Sequence, residues 1–78
     1  MTNTQTVTEH ELLNRINRKL QPRGQVMRFC AADHASWPQF GDYHIIDVST
    51  NALEHHHCEL AQWGYELGVL SDSETVVP

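Results

Sequence analysis

The sequence predicts an α+β domain: an N-terminal helix, a short three-stranded antiparallel sheet with a central β-hairpin, and a C-terminal helix packed on one face. Three observations carry that expectation. Apolar residues of helical period follow a capping signal at Thr8. Two extended runs, 42–48 and 53–57, flank the turn residues Ser49, Thr50, Asn51 and Ala52. A second helical period then runs from about Cys58 or Glu59 to a glycine stop at Gly68. The chain of 78 residues makes one domain with a small core, spanning residues 7–70 between polar, mobile tails at 1–6 and 71–78.

Each element has a local cause. Thr8 and Glu11 have the spacing of a capping box, in which each side chain bonds the other's backbone amide, and Val7 can close over Leu12 as a staple. Leu12, Leu13, Ile16 and Leu20 form the buried stripe, and Pro22 and Gly24 end the helix near Leu20 or Gln21. Gln25–Cys30 reads as an edge strand, with Met27 and Phe29 on one face and Val26 and Cys30 on the other. The stretch AADHASWPQF (residues 31–40) reads as a loop with a helical turn, Trp37 and Phe40 covering an edge of the core. In the hairpin, pairing Val48 with Leu53 turns Ile46, Val48 and Leu53 toward the helices and leaves Ile45, Asp47 and Glu54 outside, with Asn51 taking a positive φ. In the last helix Leu60, Trp63, Gly64 and Leu67 share a face. Gly64 suggests close approach to the sheet, and Gly68 a left-handed end that folds Val69 and Leu70 back.

Charge and composition exclude several classes. No apolar run approaches the ~20 residues of a membrane span, and the N-terminus lacks a secretory signal, so a cytoplasmic protein is expected. Cys30 and Cys58 lack zinc-finger spacing and read as free thiols. The net charge is −5, yet all five cations (Arg15, Arg18, Lys19, Arg23, Arg28) lie between positions 15 and 28, and eight acids with no Lys or Arg follow. A basic segment invites nucleic acid, through Arg15, Arg18 and Lys19. The same residues also complement the negative end of a helix dipole, and the domain is acidic, so nucleic acid is the weaker reading.

The pattern INRKL…G…R…GDY…D…N…L…ELGVL, from Ile16 to Leu70, resembles small uncharacterised bacterial α+β proteins. The resemblance implies a compact α+β domain and no particular activity.

The chemistry-bearing run is His55-His56-His57-Cys58. The Val48–Leu53 register sets His44 opposite His57 and puts His44, His55 and His57 on one sheet face, near enough to hold zinc, nickel or copper. Cys58, near a helix N-terminus, would join them as thiolate. A tolerated, half-exposed strand end is the simpler explanation of the same residues. No nucleophile–base–oxyanion set can be assembled, and no phosphate or dinucleotide motif is present, so the chain reads as no enzyme. What remains is a non-enzymatic protein-interaction or regulatory module. Its contact patch is expected at Tyr43, Ile45, Tyr65 and Trp37, and a symmetric dimer is expected through that face or the Gln25–Cys30 edge. Metal binding and nucleic-acid binding stand as the alternatives.

Overall fold

The computed structural model describes residues 5–78 and has an α+β architecture. In chain order it contains β1 (Gln5–Thr8), α1 (Glu9–Leu20), β2 (Gln25–Phe29), the single turn α2 (Trp37–Phe40), β3 (Tyr43–Asp47), β4 (Leu53–His55), α3 (Leu60–Glu66) and β5 (Glu74–Val77). Strands β2, β3 and β4 form an antiparallel sheet in that order, and β1 and β5 form a separate parallel pair.

The start of α1 follows its capping signal in part. Thr8 Oγ1 accepts the Glu11 amide at 3.1 Å, while the Glu11 carboxylate lies 3.6 Å from Arg15 one turn along rather than returning to Thr8. Leu12, Ile16 and Leu20 are fully buried, Val7 joins them in the core, and Leu13 is half-buried against it. Each such side chain taken from water stabilises the fold by about 1.5–3 kcal/mol. This stripe packs on Met27, Tyr43 and Ile45, which alternate onto one face of the sheet, called here the inner face.

Helix α3 packs against α1, with Leu60 in the shared core. A Cβ on Gly64 would lie 2.9 Å from Leu12 Cδ1 and 3.0 Å from Leu70 Cβ. The glycine therefore permits close approach to α1 and to the returning chain, not to the sheet. Gly68 takes φ 73 as its position requires. The amides of Val69 and Leu70 then bond Gly64 O at 2.9 and 3.1 Å, which turns Leu70 into the core.

The C-terminal segment corrects the expectation of a free tail from Ser71. Residues 74–77 pair in parallel with residues 5–8, Gln5 facing Glu74 and Thr8 facing Val77. Arg15 Nη1 clamps this segment, bonding Glu74 Oε2 at 2.9 Å, Glu74 Oε1 at 3.1 Å and Val69 O at 3.1 Å. Gln5 and Thr6, expected in the N-terminal tail, are strand residues, and positions 1–4 of that tail lie outside the described residues.

The hairpin departs most from expectation. Ile46 pairs with Leu53 but Ile45 pairs with His55, so Glu54 is an extra residue in β4 and makes a β-bulge. The expected Val48–Leu53 register is corrected, and the faces are inverted: Ile45 is fully buried under α1, whereas Val48 is 59% exposed. The bulkier set, Met27, Ile45 and Tyr43, occupies the inner face, and Val26, His44 and Ile46 alternate to the outer one. The turn is held by Asp47, whose Oδ1 accepts the Ser49 amide at 2.9 Å, the Ser49 hydroxyl at 2.6 Å and the Thr50 amide at 3.1 Å. These bonds pull its carboxyl below the usual range, the Ser49 hydroxyl most strongly. Asn51 has φ 59, as its residue type allows.

Candidate functional site

The outer face of the sheet carries an apolar row that crosses all three strands. Val26 is the cross-strand partner of Ile46 on one side, and Leu53 is its partner on the other. Val48, just past the end of β3, extends the row into solvent. Because α1 and α3 share the inner core, no long helix of the described residues lies over this face. The molecule is correspondingly thin, its shortest Cα extent being 15 Å, about what two packed layers occupy. Among the described residues the element laid on the outer face is α2, whose Phe40 ring stacks on His44 with centroids 4.4 Å apart. Arg28, the cross-strand partner of His44, is exposed at the rim.

Beside the row, a concavity of about 550 Å³ runs along the free edge of β2. Its polar lining comes from Asn14, Asn17, Gln21, Gln25 and Arg18, groups that make hydrogen bonds without moving protons near neutral pH. Val26 and Val48 close its far side, so the groove and the outer row are continuous. Asn17 has a second task. Its Oδ1 accepts the Met27 amide at 2.7 Å and its Nδ2 donates to Met27 O at 3.1 Å, so the carboxamide occupies the outward backbone groups of the edge strand. An edge-to-edge dimer through Gln25–Cys30 would have to displace it.

The histidines do not gather as the expected register required. His44 is on the outer face, 7% exposed, with its Nδ1 unpartnered. Burial, and next the Arg28 charge, lower its pKa from the ordinary histidine value. The Glu54 bulge turns His55 to the opposite face, where its ring meets the edge of Trp63 with centroids 5.0 Å apart. His57 has φ 51, and its amide bonds Phe40 O at 2.7 Å rather than pairing with His44. The shared face of His44, His55 and His57 is thus corrected, the reason being one inserted residue in β4. Cys58 is half-buried, and desolvation raises its thiol pKa. That opposes the expected thiolate, and α3 starts only at Leu60. Cys30 and Cys58 are free thiols. Among the described residues, no three His, Cys, Asp or Glu side chains are arranged to hold one metal ion. The residue that sequence reasoning passed over is His56, whose Nδ1 lies 2.8 Å from Nδ1 of His57.

The expected contact patch divides. Tyr43 and Ile45 are core residues on the inner face, which removes them from any contact surface. The Tyr43 hydroxyl is pushed up by desolvation and then by Glu9, which it approaches at 3.5 Å. Tyr65 is 48% exposed on α3, and Trp37 is half-buried, its indole N–H donating to Asp42 Oδ1 at 2.8 Å. In the basic segment, Arg15 is committed to Glu74; the Ser71 amide, and next the Arg15 guanidinium, hold the Glu74 carboxyl below its usual range. Arg18 and Lys19 remain exposed at the end of α1. No helix of the described residues is long and apolar enough to cross a membrane.

Comparison with known proteins yields no match to a protein family, to a curated protein or to a solved structure.

Proposed function

We propose that this chain is a non-enzymatic protein-interaction module that docks a protein partner on the outer face of its three-stranded sheet. The observation that carries the reading is the Val26–Ile46–Leu53 row, continued by exposed Val48, with no long helix of the described residues laid over it. An apolar row rimmed by polar groups is the surface a protein partner covers most favourably, because burial returns about 25 cal/mol per Å². The carboxamide groove supplies directional hydrogen bonds beside the row, and Arg28 favours a partner with a carboxylate at the matching rim. Neither nucleic acid nor the four-residue metal set draws comparable support: Arg15 is tied to Glu74, and His44 and His55 lie on opposite faces.

Affinity capture from the native host with untagged, immobilised protein tests this reading, using Val48→Lys and Tyr65→Lys in parallel. The expected outcome is a partner retained by the wild type and by Tyr65→Lys but lost by Val48→Lys. Retention by Val48→Lys, or equal loss in both variants, would remove the outer face from the proposal. Sedimentation across the micromolar range identifies the case in which the partner is a second copy.

A further inference from the structure

We propose that His56 and His57 form a bidentate site for a divalent transition-metal ion that prefers square-planar coordination, Cu(II) foremost. The site is independent of the outer-face reading and uses neither His44 nor His55. Both rings are exposed, their centroids are 5.0 Å apart at 83°, and their Nδ1 atoms are 2.8 Å apart. Two nitrogens at that separation, each about 2.0 Å from an ion, subtend roughly 90° at it. That is the angle between neighbouring ligands in a square plane. A tetrahedral zinc ion would need the nitrogens about 3.3 Å apart. The separation therefore disfavours tetrahedral coordination, and among ions that take roughly 90° angles Cu(II) binds imidazole nitrogen most tightly.

The backbone fixes one of the two rings. His57 takes φ 51, its amide bonds Phe40 O at 2.7 Å, and the next amide, of Cys58, bonds Tyr43 O at 2.9 Å. Gly41 lies directly beneath, where an added Cβ would come within 2.7 Å of His57 Cδ2 and 2.8 Å of its Cα. The His57 backbone is thus seated against Gly41 and tied to the start of β3, which reduces the ordering needed to present its Nδ1.

The proton inventory closes. At 2.8 Å one Nδ1 must donate and the other accept, so the metal-free pair holds a single proton between the two nitrogens. On binding, the ion sits to one side of the line between the two nitrogens, about 1.4 Å from it for bonds of about 2.0 Å, and both rings turn their Nδ1 lone pairs toward it. The donor ring moves its proton from Nδ1 to Nε2, giving two neutral imidazoles with both Nδ1 lone pairs on the metal and no net proton release. Water fills the remaining positions of the plane.

The test is a Cu(II) titration of the full untagged chain against glycine as competitor, read by electron paramagnetic resonance. One equivalent of Cu(II) should bind with two imidazole nitrogens in its equatorial plane. Affinity should fall by roughly a hundredfold, as expected when one arm of a chelate is lost, in His56→Ala and in His57→Asn. Asparagine is chosen at 57 because it tolerates the positive φ. His10→Ala and His34→Ala should bind as the wild type. Unchanged affinity in His56→Ala and His57→Asn, a spectrum with one coupled nitrogen, or an equal loss in His10→Ala would overturn the proposal. Circular dichroism of each variant separates loss of the site from loss of the fold.

Discussion

On the inner face of the sheet, Met27, Tyr43 and Ile45 lie beneath α1 and share a core with Leu12, Ile16 and Leu20. On the outer face, Val26, Ile46 and Leu53 form a row of similar chemistry, with the single turn of α2 beside it. Two adjacent isoleucines in one strand thus serve different ends. Ile45 fills a jigsaw closed by a helix, whereas Ile46 is covered by its cross-strand neighbours Val26 and Leu53. The difference teaches that burial in the isolated chain does not by itself identify the core, since both residues are buried here.

The largest effect expected from this comparison is Ile45→Ala. It leaves a cavity under α1 and should cost about 2–5 kcal/mol in urea unfolding, with Ile46→Ala clearly below it. Equal losses would mean that the two faces are equally structural. Asn17→Leu comes next. It strips the Met27 N–H and C=O of their partner and should cost about 1–3 kcal/mol, and concentration-dependent association through the bared β2 edge should appear in sedimentation.

A pH titration sharpens the account of the outer face. Burial places the folded-state pKa of His44 below its unfolded value. The unfolded chain therefore takes up the proton first as pH falls. The contribution of His44 to stability is complete above about pH 6.5 and is lost between that value and the lower folded one. The slope from this single group is at most about 1.4 kcal/mol per pH unit. His44→Phe should flatten it, and an unchanged slope would assign the pH dependence to other groups. The smallest stability change is expected for Val48→Lys, within about 0.5 kcal/mol, because the side chain is already in water.

How much of this was legible in the sequence follows from how local each cause is. The start of α1 could be read because Thr8, Glu11 and the leucine stripe act within one helix. The bulge could not, because inserting Glu54 leaves the apolar alternation of the run looking regular while moving His55 to the other face. That one residue undid both the register and the histidine cluster built on it. β5 was missed because ETVV (residues 74–77) follows the turn residues Ser71–Ser73 and its parallel partner, residues 5–8, lies at the other end of the chain; the β-branched Thr75, Val76 and Val77 were the available signal. The cover that Asn17 gives the β2 edge has no local signature, since it depends on where α1 lies against the strand. The near contact of His56 and His57 likewise comes from the left-handed turn at His57, which consecutive histidines do not announce.

Docking on the outer face is tested by a paired measurement on Val48→Lys/Leu53→Lys. Its urea midpoint and its affinity for the captured partner are compared with those of the wild type. The expected result is a midpoint lowered only slightly and partner affinity reduced by at least about tenfold, a change of about 1.4 kcal/mol. Undiminished affinity, or affinity lost only in step with unfolding, would contradict it.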